Sequence, residues 1–523
     1  MASALSSVRS LAAASPRRTA VRADHLHRGN RVPTTVRSYR GRGSCLVTRA
    51  VVVPRGTEDA PKGGERRAPL HLETVMENVR RSLRLDDPSV ASTGMTWGTG
   101  VFLGDPVRWA LRHDQGSFTE EAAGPDLSYV STHCAGADEV WETDHTGYTQ
   151  VVQLDDHEAS LLAAWARTGW WANPAAVADV ELGLARTDDS DAGFDAIEEC
   201  EVTVRVRAGG LIVASMYVDT NTWLPRRMRM RVCGDDEMWF YADWKTAELD
   251  GKDGRRSKGA GRPYPALTTL KGAAGGTQTF RVDGARDNSG VGPGYYRRPG
   301  SLPGDARSES NPELEVNGGF DNGSGVRFDS RKQPEANIEP AKSSHVLVRP
   351  LIDGVDVGPF ILDTGASGLV ISGAAAERLN LRSFGEVWVS GVAGKVPCNF
   401  RRGTSLELGP ITIDDPVFME MSVGGIVSGS SEPVAGIVGF DVFKSSGLEV
   451  GPGGSPVRLY DPKTFIPPVT WDWKPLLMVS NVPHVAADFA GAPQGRPQIF
   501  MIDSGAGGAD CIFHARAVRD MNL

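Results

Sequence analysis

The sequence predicts a mainly β protein: an antiparallel β-rich N-terminal domain with one helix, a flexible linker, a β-barrel lobe and the start of a second lobe. Three observations predict it. Short runs alternate apolar and polar residues between Gly, Asp and Asn turns, the period of half-buried strands. A Gly/Pro/Ser-rich stretch divides the chain near its middle. A short acidic loop between apolar strands occurs twice, 140 residues apart.

Composition bounds the possibilities. The 523 residues give room for about three domains. Hydrophobic residues make up 40% and charged residues 23%, a globular balance. No apolar run approaches the roughly 18 residues of a spanning helix, which argues against an integral membrane segment. Lys and Arg number 56 against 65 Asp and Glu, a net charge of −9 with no basic block in the body, which argues against nucleic acid as a partner. The six cysteines, Cys45, Cys134, Cys200, Cys233, Cys398 and Cys511, are scattered without a C-x-x-C pair, which disfavours a disulfide scaffold or structural zinc.

Residues 1–50 hold ten arginines, no lysine and one acid, Asp24, with many Ser and Ala. That is the composition of an organelle transit peptide, and its opening resembles plastid presequences. The expected location is the chloroplast, with the mitochondrion as alternative, in soluble form. Residues 70–283 read as the β-rich domain. Glu201–Arg207, Leu211–Val218 and Arg227–Val232 form an antiparallel meander turned at Gly209-Gly210 and Asp219–Thr222. Asp155, Glu158, Leu161, Leu162 and Trp165 predict a capped helix that, with Trp170-Trp171, covers one face of the sheet. Residues 284–334 contain ten glycines and too few apolar residues for a core, and read as linker.

The chemistry is carried further on. Phe360-Ile-Leu leads into Asp363-Thr364-Gly365-Ala366-Ser367, and Leu369–Ile371 follows. Gly365 lets the backbone turn close to the carboxylate, Thr364 can hydrogen-bond across the loop, and the apolar flanks anchor it in a sheet. Phe500-Met-Ile-Asp503-Ser504-Gly505-Ala506 repeats the pattern. One such tripeptide is a weak signal, whereas two in matching flanks are the most specific feature of the chain.

On these motifs residues 344–523 resemble the aspartyl protease superfamily, specifically its retropepsin-like group. Residues 344–470 would form lobe one and 471–523 the start of a truncated lobe two. Gly385–Lys395, with Trp388 and Gly391 near its tip, looks like the flap hairpin that grips substrate. Ala435–Asp441 looks like the apolar-apolar-Gly segment threading beside the catalytic loop, and Leu448–Val450 with Val457–Tyr460 like the closing hairpin. Gly451–Gly454 between them reads as a turn, since no helix follows for a phosphate. Trp97–Phe102, Asp138–Gly147 and Tyr217–Pro225 resemble the β-rich region that precedes two-lobed bacterial-type aspartyl proteases, a region similar to outer-membrane lipoprotein carriers.

The resemblance implies an aspartic-type endopeptidase acting on a polypeptide with no metal or cofactor. Asp363 and Asp503 would be catalytic, with Thr364, Gly365, Ser504 and Gly505 supporting their loops. Two close carboxylates would share a proton and activate a water between them. The departure lies in lobe two. Lobe one spans 78 residues from Asp363 to Asp441, but 20 follow Asp503. The expectation is a truncated chain, with a decayed second lobe or a homodimer of two Asp363 loops as alternatives. A rival of another class is a non-catalytic lipid- or peptide-binding protein with a degenerate protease lobe, in which Trp165, Trp170, Trp171 and Trp223 line an apolar cavity. A serine or metal hydrolase lacks its motifs: there is no H-E-x-x-H or G-x-S-x-G, and His145, His157 and His484 read as surface or turn residues.

Overall fold

Alternating side chains build the first half of the chain. In Pro225–Val232 the inward residues Met228, Met230 and Val232 are fully buried, while Arg229 and Arg231 on the other face reach out to Asp236. The computed structural model describes residues 70–90, 93–173, 178–182, 199–206, 212–232, 235–251, 256–272, 276–298, 325–391, 394–451, 456–466, 468–470, 472–488, 498–508, 511–513 and 517–519. The expected transit peptide, residues 1–50, lies outside them. The described chain is mainly β.

The N-terminal part is one 15-stranded sheet. Its first strand, Thr93–Phe102, sits mid-sheet between Asp105–Asp114 and the last strand, Thr277–Asp287. From there one wing runs outward through Ser117–Ala123, Ser128–Cys134, Glu139–Thr143 and Thr149–Val152. The other runs through Pro263–Lys271, Asp235–Thr246, Pro225–Val232, Val213–Asp219 and Glu199–Val206 to Ala178–Leu182. The expected meander forms its outer part. Helices α1 (Leu72–Ser82) and α2 (Leu154–Thr168) supply Val75, Val79, Leu161, Leu162 and Trp165 to its core.

Sequence and structure differ at the start of α2. The cap is Gln153, whose side chain makes no capping bond to the helix, and Asp155 lies in the first turn. The Glu158 carboxylate accepts from the Ile212 amide, just before the strand Val213–Asp219, so a tertiary contact takes the acid that local pattern assigned to the cap. Trp165 and Trp171 are buried in the core, with Trp170 and Trp223 packed at its margin. A buried ion pair crosses this core: Arg167 Nη1 and Nη2 bond Glu120 at 2.5 and 2.7 Å, and Trp109 donates to the same carboxylate.

Order extends into both ends of the expected linker. The last strand of the large sheet runs to Asp287, and the turn Pro293–Tyr296 docks on it with Tyr296 buried and Trp141 Nε1 donating to its carbonyl. Val326–Phe328 already pairs with Ile411–Asp414 of the next unit. Residues 299–324, the middle of that linker, lie outside the described residues.

The second part centres on an eight-stranded sheet. Phe360–Leu362 and Leu369–Ile371 enclose Gly436–Val438, which runs parallel to the first and antiparallel to the second. Gly436 and Gly439 are required there, because a Cβ on either would collide with the Val370 or the Gly368 and Ala366 carbonyls. Ser372 caps the short helix Gly373–Arg378 through the Ala375 amide. The hairpin Arg382–Gly391 and Gly394–Arg402 extends the sheet edge. Gly447–Glu449 pairs with Val457–Tyr460, and residues 452–455 between them are not described. A three-stranded sheet, Leu477–Val479, Val482–Ala487 and Gln498–Met501, carries the chain to Asp503.

Candidate active site

Each aspartate loop is built the same way. The Gly365 amide bonds Asp363 Oδ1 at 2.7 Å, and the Gly505 amide bonds Asp503 Oδ1 at 2.9 Å, so each carboxylate is held by the amide two residues on. The loops then lock each other. The Thr364 amide donates to Ser504 Oγ and the Ser504 amide to Thr364 Oγ1, both at 3.0 Å. The two hydroxyls in turn donate across, Thr364 Oγ1 to the Ile502 carbonyl at 2.8 Å and Ser504 Oγ to the Leu362 carbonyl at 2.9 Å. Four bonds thus form a pseudo-symmetric lock in which Thr and Ser play identical parts.

The lock sets the carboxylates against each other. A Cβ on Gly365 would lie 2.8 Å from the Asp503 carboxyl carbon, and one on Gly505 would overlap the Asp363 carboxyl. Only glycine at both positions permits this approach. Burial raises the Asp363 carboxyl to about 7, reinforced by the charge of Asp503 and a hydrogen bond with it; the Gly365 and Gly505 amides pull the other way.

The eight-stranded sheet and the helical turn after it brace the first loop from behind. The Asp363 amide bonds the Val438 carbonyl and the Phe440 amide bonds the Ala366 carbonyl. Asp441 Oδ2 accepts from the Leu369 amide, while its Oδ1 takes Lys444 Nζ at 2.8 Å. Lys444 is almost wholly buried and also bonds Asp144 of the large sheet at 2.7 Å and Thr146 at 2.9 Å. Against the cost of burial, Lys444 holds the Asp144 carboxyl at about 2. Asp144, Asp441 and Lys444 were not singled out as site residues by the sequence. The one local signal was the Asp441/Lys444 spacing on a helical turn.

The hairpin places Trp388 opposite Pro397 and Gly391 opposite Gly394, next to residues 392–393, which are not described. Trp388 is half-buried and borders Gly276 of the large sheet, 3.7 Å from where a Cβ would stand. The base of the hairpin is pinned to the same sheet. The Glu386 amide bonds the Leu103 carbonyl, and Arg382 forms an ion pair with buried Asp126, whose carbonyl also accepts from Arg402. The supporting sheet of the second loop leans there too: buried Asp156 of α2 accepts from the Ser480 amide at 2.9 Å. Among the three histidines set aside from the sequence, His145 borders a cleft, His157 is half-buried on α2, and His484 lies in a strand. That cleft, ≈ 150 Å³, opens between the two parts of the chain and begins at Ser367–Leu369, directly after the first loop. Tyr129, Tyr148, Val151, Phe400 and Met419 give it apolar walls, and Glu142, Asp144 and Asp441 acidic ones.

Comparison with known proteins agrees with part of this reading. Residues 348–442 match the aspartyl protease family model. No curated protein matches the chain. Among solved structures, the chain is similar to a DUF1329 family protein from Desulfovibrio piger, with 11% identity, 43% of this chain and 97% of that chain covered, and a TM-score of 0.30. It is likewise similar to a LolA superfamily protein from Nitrosomonas europaea, with 9% identity, coverage of 44% and 99%, and a TM-score of 0.30. A putative outer membrane lipoprotein-sorting protein domain from Vibrio parahaemolyticus gives 8%, 43% and 97%, and 0.28. Among the described residues no helix is long and apolar enough to cross a membrane. What the comparisons carry is an aspartyl-protease-like domain in the second half of the chain, holding the first of the two aspartate loops.

Proposed function

We propose that the chain is a retropepsin-like, two-lobed type of aspartic endopeptidase whose Asp363 and Asp503 act together on peptide bonds. The reciprocal Thr364–Ser504 lock carries this reading, because it brings two half-buried carboxyls from distant loops into one pair. A raised Asp363 keeps a proton near neutral pH, which suits it to the acid's part in such a pair. A water between them loses its proton to the ionised carboxylate as it attacks the scissile carbonyl, and the protonated one donates to the developing oxyanion. Trp388 and Gly391 of the hairpin would close over an extended polypeptide bound as an added strand. A homodimer through two Asp363 loops is less well supported, since the Asp503 loop occupies the position a second Asp363 loop would need.

The test is cleavage of a fluorogenic peptide library by the purified chain. Turnover abolished by either Asp363→Asn or Asp503→Asn supports the dyad. Turnover that survives both replacements contradicts it. The binding-protein reading has the weaker footing, because Trp165 and Trp171 fill the face of the large sheet that an apolar ligand would need. For residues 1–50 we propose removal on import into the chloroplast; a reporter fused behind them should enter plastids, and entry into mitochondria would favour the alternative.

A further inference from the structure

Far along the chain from the aspartates, three metal-ligating side chains converge on one wing of the large sheet. His133 lies near the end of the strand Ser128–Cys134, Asp138 in the turn that follows, and His157 in the first turn of α2. One donor atom from each lies within 4.8 Å of the others.

His133 is the informative member. It is 3% exposed, and its Nδ1 faces the Gly116 carbonyl at 2.9 Å. A carbonyl can only accept, so Nδ1 carries the proton and Nε2 is left with a lone pair. That Nε2 is buried without a hydrogen-bond partner and lies 3.9 Å from Asp138 Oδ1, too far for one. A buried lone pair left unsatisfied costs free energy, and a cation between Nε2 and a carboxylate removes that cost.

We infer that His133, His157 and Asp138 bind a divalent transition-metal ion of the zinc type, joining α2 to the turn between two strands. Two imidazole nitrogens and one carboxylate oxygen suit zinc, cobalt or nickel, whereas calcium and magnesium favour all-oxygen sets. The Gly116 carbonyl fixes the tautomer and ring of His133 in the manner of the outer partners of ligating histidines. Phe118 and Trp165, with ring centroids 5.9 and 6.4 Å from that of His133, give the ion an apolar flank. The Asp138 side chain is 86% exposed and free to swing inward. Three protein ligands leave a fourth position for water.

Cobalt(II) titration of the full chain, stripped first with a chelator, tests this. One equivalent should produce a visible ligand-field spectrum that zinc displaces, and zinc should raise the melting temperature. Asp138→Asn and His157→Ala change exposed or half-buried side chains; with unchanged circular dichroism, each should weaken cobalt binding at least about tenfold. His133→Gln is the third variant. No stoichiometric spectrum, a spectrum indifferent to Asp138→Asn and His157→Ala, or a sulfur-to-cobalt band pointing to Cys511 would overturn the assignment.

Discussion

The Asp363 loop and the Asp503 loop have the same amide-to-carboxylate turn and the same hydroxyl bonds, but they stand in different frames. Behind Asp363 are Val438, Phe440 and Asp441 of its own sheet, and behind those Lys444 and Asp144. The described residues behind Asp503 are a three-stranded sheet tied to the start of α2 through Ser480. The second loop nevertheless presents its carboxylate as the first does. Loop geometry therefore follows from the cross-loop bonds, with the first loop as the template.

Four changes sharpen or break this contrast. The largest effect belongs to the glycines, since Gly505→Ala drives a methyl into the Asp363 carboxyl. Peptide turnover should fall by about 10²–10⁴, the range lost with acid–base assistance, and unchanged activity would mean that the loops do not meet as described. Next is Lys444→Met. It leaves half-buried Asp144 and Asp441 without their cation and should cost about 1–3 kcal/mol in chemical denaturation.

Thr364→Ala removes one donor and one acceptor of the lock, about 1–3 kcal/mol. Hydrogen exchange should quicken at the Ser504 amide more than at the Asp363 amide, which is held by Val438, and Thr364→Ser should restore it. Equal quickening at both would show that the first loop is no template.

The fourth change acts on a pH slope. Folded Asp363 keeps its proton to about 7, while unfolded aspartate loses it near 4, so the native state binds more protons between those values. Its contribution to stability is present below about pH 4 and is lost as pH rises toward 7. Asp363→Asn should flatten that part of the stability profile.

Much of the architecture was legible locally. The meander could be read because Met228, Met230 and Val232 alternate with arginines, and a two-residue period survives any tertiary context that buries one face. The aspartate pair could be read because the loop is repeated with its flanks. The start of α2 was misread because Glu158 bonds Ile212, 54 residues away, a contact that no i,i+3 rule anticipates. The linker was overextended because Tyr296 is held by Trp141, 155 residues away, and a Gly-rich segment can dock without periodicity. The ties of Arg382 to Asp126 and of Lys444 to Asp144 were invisible for the same reason: surface charges carry no mark of the partner that folding brings.

The central claim is that Asp363 and Asp503 of one chain form a single coupled pair. Carbon-13 NMR titration of the Asp363 carboxyl, in the natural chain and in Asp503→Asn, tests it without relying on turnover. The account predicts a transition near 7 in the natural chain and a lower one in the variant, because the neighbouring negative charge has gone. An Asp363 transition at the ordinary aspartate value, or one that Asp503→Asn leaves in place, would contradict it.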